Sequence, residues 1–267
     1  MSDIITNHKR VGNFTSSQAS RLVGIGTRQM TDDELKEYKL LNPKSQAKTI
    51  KHKDTPDSKF YTYVDEKRRE KRARRSMQMG AGSRDTAWGN MVEKRVFDLL
   101  GFEYKMRSDD TFSHPDILGW TGSPDLVVPE IKVGDIKCFA PDNGTKLAEC
   151  IEDCINLKSY NPLKESYEDI YWQLVSNSEI HKVPKAEIIL YMPYISELPE
   201  IIEMVENYDG LDQWKYRFIT ESQWWELPVL PDDSGYKNLN IFEFEVPKED
   251  IEFLTERVQM AIKLRDE

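Results

Sequence analysis

Hydrophobic and polar positions along the chain change period several times, and each change marks an element. Residues 85–100 place Val92, Val96, Leu99 and Leu100 at helical spacing, and Gly101 follows where a left-handed cap fits. The period then drops to two. Residues 117–128, with Gly119 and Gly122, and residues 131–139 predict two strands joined by a tight turn at Pro129–Glu130. Residues 146–159 and 166–180 return to helical spacing, and the apolar run 186–191 (AEIILY) predicts a buried strand. Within 241–246, Phe242, Phe244 and Val246 share one face, as a further strand requires. Pro247 opens a last helix whose Ile251, Leu254, Val258 and Ile262 form a core-facing stripe.

The first third of the chain is more polar. Residues 9–25 predict a short helix with Ser16 or Ser17 at its start and Gly24 at its end. Residues 30–60, Lys-rich with Pro43 and Pro56, predict a loop with short helical pieces. Residues 64–79 are strong helix formers, and Gly80–Gly82 predicts a flexible break. No internal repeat is present. The order of elements predicts an α/β (α+β) fold: a mixed β-sheet flanked by helices over 81–267, with a basic helical region over 1–80 packed on it.

Charge sharpens this division. The 267-residue chain carries a net charge of −10, yet residues 1–80 hold 18 Lys/Arg against 10 Asp/Glu. A basic region on an acidic body suits a protein that attracts polyanions and uses carboxylates to hold metal. Seven of the nine residues in Lys67–Arg75 are cationic, including Lys67, Arg68, Arg72 and Arg75. Charge wrapped around most of a helix suits contact with a nucleic-acid backbone better than core packing. No apolar run reaches the length of a membrane span, and residues 1–25 lack the apolar stretch of a signal peptide. Three cysteines do not suggest a disulfide framework, so the expectation is a reduced, cytoplasmic protein.

Most of the candidate chemistry lies in Ser123-Pro124-Asp125 and Asp135-Ile136-Lys137. If both pieces are strands of one hairpin, Asp125 and Asp135 converge at one end, and Asp135 and Lys137 share a face. Two carboxylates beside a backbone carbonyl make a hard oxygen site suited to Mg²⁺ or Mn²⁺, and a neighbouring lysine can orient water or stabilise phosphate charge. Pro115-Asp116 and Glu130-Ile131-Lys132 offer the same pattern, but Glu130 falls at the turn and faces solvent. Glu93 borders the apolar stripe of its helix, and Gln173 lies in an aromatic-rich helix. Other chemistries fit less well. There is no phosphate loop, the four histidines lack zinc spacing, and three cysteines are too few for an iron–sulfur cluster. Cys150 and Cys154 suit helix packing, and Trp224–Trp225 suits a buried aromatic pair more than a platform for stacking bases.

In order, Glu93, Ser123-Pro124-Asp125, Asp135-Ile136-Lys137-Cys138 and Gln173 resemble the motif series of the PD-(D/E)XK nuclease superfamily, and within it the phage lambda exonuclease-like (viral recombinase) family. The ten-residue step from Asp125 to Asp135 is similar to the family's spacing. Arg10-Val11-Gly12-Asn13-Phe14-Thr15-Ser16-Ser17 resembles its N-terminal motif, and Gly89 to Glu93 its G-x-x-x-E helix. The closing strand and helix resemble the family's end, leaving roughly 27–80 and 195–235 without a counterpart. Asp135 stands where the family usually has Glu, and the Gln-Leu-Val-Ser of 173–176 lacks a second glutamine seen in many relatives.

The resemblance implies a Mg²⁺-dependent DNA exonuclease. Asp125, Asp135 and the Ile136 carbonyl would hold the metal, with Glu93 assisting through water or a second metal. Lys137 would position or activate the water and Gln173 would support the site, while Arg10, Ser17 and Ser123 would bind the 5′-phosphate of a DNA end. It further implies 5′→3′ digestion of linear duplex in support of single-strand annealing, a ring trimer as the homo-oligomer, and an annealing protein as partner. Two alternatives share the core motifs: a structure-selective endonuclease such as a Holliday-junction resolvase, and an inactive nuclease fold used as a DNA-binding module.

Overall fold

The computed structural model describes residues 9–76, 82–100 and 110–267. In chain order the elements begin with β1 (Phe14–Thr15), α1 (Ser20–Val23), β2 (Ile25–Gln29), α2 (Asp32–Leu41), β3 (Thr49–Pro56), α3 (Ser58–Ala73) and α4 (Arg84–Leu100). Strands β4 (Phe112–Ser113), β5 (Trp120–Gly122), β6 (Leu126–Val128) and β7 (Lys132–Lys137) follow, then helices α5 (Pro141–Leu157), α6 (Asn161–Ser166) and α7 (Glu168–His181). The chain closes with β8 (Lys185–Tyr191), α8 (Leu198–Glu206), α9 (Arg217–Glu221), β9 (Leu239–Glu245) and α10 (Lys248–Asp266).

The central sheet runs β6-β7-β8-β9, with β7 and β8 parallel and both outer pairs antiparallel. Strand β8 is buried along nearly its whole length, which is why it reads as a continuous apolar run. Its alternation divides two cores. Ala186, Ile188 and Leu190 join the core formed with α5, α7 and α10, whereas Ile189 and Tyr191 point to the opposite face. There Trp88, Met91, Val92 and Val96 of α4 meet Ile201, Val205 and Ile219 from the segment after β8. Residues 195–230 therefore contribute the cover of the sheet's second face.

Three expectations are corrected. Residues 117–128 are not one strand. β5 pairs with β1 and β4 in a separate three-stranded sheet, and β6 pairs with β7. Ser123-Pro124-Asp125 crosses between the sheets, and Pro124 has no N–H to continue a ladder. Residues 30–60, expected as a loop with short helical pieces, do hold the helix α2, but also β3, which pairs with β2 in an antiparallel ribbon whose residues are mostly polar and lack the apolar alternation that betrays a strand. The helix expected over 9–25 is replaced at its start by β1 and a single 3-10 turn at Ser16–Gln18. Neither serine caps through its side chain, and Phe14 is buried beside β5.

Other elements follow expectation more closely. The β6–β7 turn has Pro129 at its second position and Glu130 at its third, with Glu130 at φ 64° and the Ile131 N–H donating to the Val128 carbonyl over 3.0 Å. Helix α3 begins earlier than expected, where the Asp57 side chain accepts from the Phe60 N–H. Leu99 is exposed rather than core-facing, and Trp224 and Trp225 form an exposed edge-to-face pair 5.7 Å apart rather than a buried one. The breaks expected at Gly80 and Gly101, and residues 77–79 of the basic helix, lie outside the described residues. No helix among the described residues is long and apolar enough to cross a membrane.

The loop before β5 is held by His114. Its Nδ1 accepts the N–H groups of Asp116 and Ile117, both at 3.0 Å, so the ring proton sits on Nε2, 3.2 Å from Glu179 Oε1. Its ring stacks on Trp120 at 4.9 Å. Burial lowers the His114 pKa below its ordinary value; Lys182 adds to this, and Glu179 and Asp116 oppose it. A histidine kept neutral in the native state costs stability once the unfolded chain takes up protons, that is, as pH falls below about 6.5. Chemical denaturation at pH 7.5 and 5.5 is therefore expected to show wild type weakening at the lower pH. His114→Gln should be less stable at pH 7.5 but less sensitive to the change, and an equal pH dependence in both would contradict this role.

Candidate active site

The β6–β7 register places the first acid opposite the second. Leu126 pairs with Gly134, so the next position outward sets Asp125 across from Asp135. The Ile136 N–H donates to Asp125 Oδ2 over 2.7 Å, fastening the residue after Pro124 to the hairpin. Asp135 is only 1% exposed. Gln173 Nε2 of α7 donates to its Oδ1 over 2.5 Å, and Lys137 Nζ lies 2.6 Å from its Oδ2. Lys137 reaches that carboxylate because residues two apart on a strand share a face.

Electrostatics set the character of the cluster. Burial pushes the Asp125 carboxyl well above its ordinary pKa, and the charges of Asp135 and Glu93 push it further; the Ile136 N–H and Lys137 oppose this. Burial pulls Lys137 down, but Asp135, Asp125 and Asp169 together outweigh it and hold the ammonium above its ordinary pKa. Burial, followed by Glu93 and Asp125, raises the neighbouring Cys138 thiol and keeps it protonated. Glu93 is thus close enough to act on both Asp125 and Cys138, from a half-buried position beside the apolar face of α4.

These donors fit a hard divalent cation. Among the described residues, no three His, Cys, Asp or Glu side chains are gathered as a ready-made cage. Mg²⁺ does not require one, since it is commonly held by one or two carboxylates and keeps several waters. Asp125 and Asp135 supply the carboxylates, and a cation between them would relieve a repulsion that burial makes costly.

The other expected residues separate into two groups. Arg10 Nη2 and Ser17 Oγ approach to 3.5 Å at the protein surface, and Thr15 Oγ1 lies 3.4 Å from the same hydroxyl. Thr15 is paired with Thr121, and Ser17 and Ser123 each follow two residues later on these neighbouring segments. Ser123 Oγ contacts Thr111 Oγ1 at 3.0 Å. The basic helix, by contrast, is partly committed to the fold. Lys67 is buried against Glu70 at 2.8 Å, Arg68 pairs with Asp65 and donates to the Leu264 carbonyl, and Lys71 pairs with Asp266. Arg72 and Arg75 stay exposed, as do Arg69 and Arg74. The expectation of an all-round cationic surface is corrected to that extent.

Asp169 was not anticipated. It sits one turn before Gln173, and that i, i+4 spacing was the only available signal.

By sequence, no family model and no curated protein matches the chain. By structure it is similar to an alkaline exonuclease (LHK-Exo) from Laribacter hongkongensis, with a TM-score of 0.55 and 14% identity over 96% of this chain and 89% of that one. It is also similar to a phage related exonuclease from Haemophilus somnus 129PT, with a TM-score of 0.55 and 14% identity over 95% and 93% of the two chains. LHK-Exo in complex with dAMP gives a TM-score of 0.54 at 14% identity, over 97% of this chain and 90% of that one. The chain has the fold of these exonucleases. In this fold, the hairpin β6–β7 and helix α7 carry the acidic cluster.

A buried carboxylate facing another acid costs stability when no cation is present. Asp125→Asn keeps the shape and an acceptor for the Ile136 N–H while removing the charge. In EDTA it is expected to stabilise the protein by about 1 kcal/mol, since replacing buried charges is often neutral or favourable. That corresponds to a melting temperature higher by about 2 °C. A lower melting temperature would show that Asp125 is needed for the fold.

Proposed function

We propose that the protein is a metal-dependent deoxyribonuclease, a lambda-type exonuclease that hydrolyses phosphodiesters from the ends of linear duplex DNA. The observation that carries this reading is the buried Asp125–Asp135 pair with Lys137 and Gln173 on one oxygen-rich site. The fold shared with exonucleases, one of them solved with dAMP, supports it.

In this reading Asp125, Asp135 and the Ile136 carbonyl hold Mg²⁺, for which Mn²⁺ substitutes, with Glu93 assisting. A bound Mg²⁺ would supply Lewis acidity toward the scissile phosphate. In the same reading Lys137, 2.6 Å from Asp135, positions or activates the attacking water and offers positive charge to phosphate oxygens. Gln173 fixes the Asp135 carboxylate through its own amide. Arg10, Ser17 and Ser123 form the pocket for a 5′-terminal phosphate, where a guanidinium fork and hydroxyl donors suit the anion. Digestion then proceeds 5′→3′ and leaves a strand for a single-strand annealing protein. A homo-oligomeric ring trimer around DNA completes the proposal.

The direct test is digestion of end-labelled linear duplex against covalently closed circular duplex, with Mg²⁺ or EDTA. Wild type is expected to degrade only the linear substrate and only with metal. Asp135→Ala and Lys137→Ala should each abolish cleavage while leaving the circular dichroism spectrum unchanged. Cleavage of the circle would favour a structure-selective endonuclease, and no cleavage at all would favour an inactive DNA-binding fold.

The exposed arginines of α3 make a separate prediction. Each phosphate contact contributes about −0.9 to the slope of log K against log salt on duplex DNA. Arg69, Arg72 and Arg75 replaced together by Gln should flatten that slope and weaken binding to all sequences alike. An unchanged slope would place α3 away from the DNA path.

A further inference from the structure

A chain of buried hydroxyls joins three segments that each carry part of the proposed site. Ser16, Ser176 and Trp120 are at most 2% exposed. Trp120 Nε1 donates to Ser176 Oγ over 2.8 Å, and Ser176 Oγ lies 2.8 Å from Ser16 Oγ. Ser16 Oγ in turn donates to the Thr121 carbonyl over 3.4 Å. The proton order is fixed at both ends, because an indole N–H only donates and a carbonyl only accepts. Ser16 spends its one proton on Thr121, so Ser176 must donate to Ser16. The bonds therefore run in one direction from Trp120 through Ser176 and Ser16 back to Thr121.

The same place leaves no room for adjustment. A Cβ at Gly122 would overlap both Asn177 Oδ1 and Ser16 Oγ, so strand β5, the serine turn and helix α7 meet at closest approach there. Asn177 is fully buried against this glycine. Interiors packed this closely transmit small displacements instead of absorbing them.

Each member lies near a working group. Ser16 precedes Ser17, Thr121 stands two residues before Ser123 and four before Asp125, and Ser176 is about one helical turn from Gln173. We infer that Ser176 and Ser16 are positioning residues that fix the distance between the 5′-phosphate pocket and the Asp125–Asp135 site, and so select which phosphodiester from the end is cut. This rests on the exonuclease reading. It explains why polar side chains occupy a position that apolar ones could fill: hydrogen bonds of defined direction set a register that dispersion contacts do not.

The test uses the full chain as wild type, Ser176→Ala, Ser16→Ala and the double variant. Binding in EDTA compares duplexes ending in a 5′-phosphate and a 5′-hydroxyl, and digestion with Mg²⁺ measures the lengths of the released products. Wild type is expected to prefer the phosphorylated end and release a single product length. Each single variant should lose about fivefold of that preference, the factor that one neutral hydrogen bond is worth, and release a mixture of lengths. The double variant should be no worse than either single, because one broken link opens the whole chain. If the alanine variants fold poorly, Trp120→Phe removes only the first donor and carries the same expectation. Variants that keep one product length and the full phosphate preference, at whatever rate, overturn the inference. A wild type that cuts nothing overturns the nuclease reading, and this inference with it, before any variant is compared.

Discussion

The arrangement depends on holding two carboxylates, Asp125 and Asp135, opposite each other in a buried position. Isolated, such a pair would neutralise by taking up protons or drift apart. Here the hairpin register makes them face, and the Ile136 N–H fastens one while Gln173 and Lys137 engage the other. The surrounding architecture supplies those partners. The parallel β7–β8 pairing fixes the strand that bears Asp135 and Lys137, and α7 packs across it to bring Gln173 within reach. The second core, built on α4, brings Glu93 toward the same acids.

The N-terminal segment is built into this frame from a great sequence distance. β1 joins β5 in parallel, and Arg265 Nη1 of the last helix donates to the Gly12 carbonyl over 2.7 Å. Lys71 and Arg68 of α3 grip the same end of α10. Part of the basic charge that composition assigns to a polyanion therefore fastens α3 to α10. What remains exposed, Arg69, Arg72, Arg74 and Arg75, is a narrower cationic face beside an acidic body.

Features with a local cause were legible in the sequence. Period-two alternation placed Asp135 and Lys137 on one face, and Pro129–Glu130 located the turn that makes Asp125 and Asp135 converge. Gln173 carried no signal of its own and was legible only through resemblance, because its role depends on a contact 38 residues away. The Ser16–Ser176 bond spans 160 positions, and no local pattern encodes it. The β2–β3 ribbon was missed because strand recognition relies on a buried face, and this ribbon is polar on both. The split at Ser123-Pro124-Asp125 was missed for the opposite reason. Apolar residues lie on both sides of it, Leu118 and Trp120 before and Leu126 and Val128 after, in one period-two register that hides the end of the ladder.

The central claim is that the facing carboxylates form a divalent-cation site. Calorimetric titration of Mn²⁺ into metal-free protein, without DNA, tests it most directly. The account predicts saturable binding in wild type and its loss in Asp125→Asn and Asp135→Asn, with both variants still folded. Binding of equal strength in wild type and both variants would place the cation elsewhere and contradict the account.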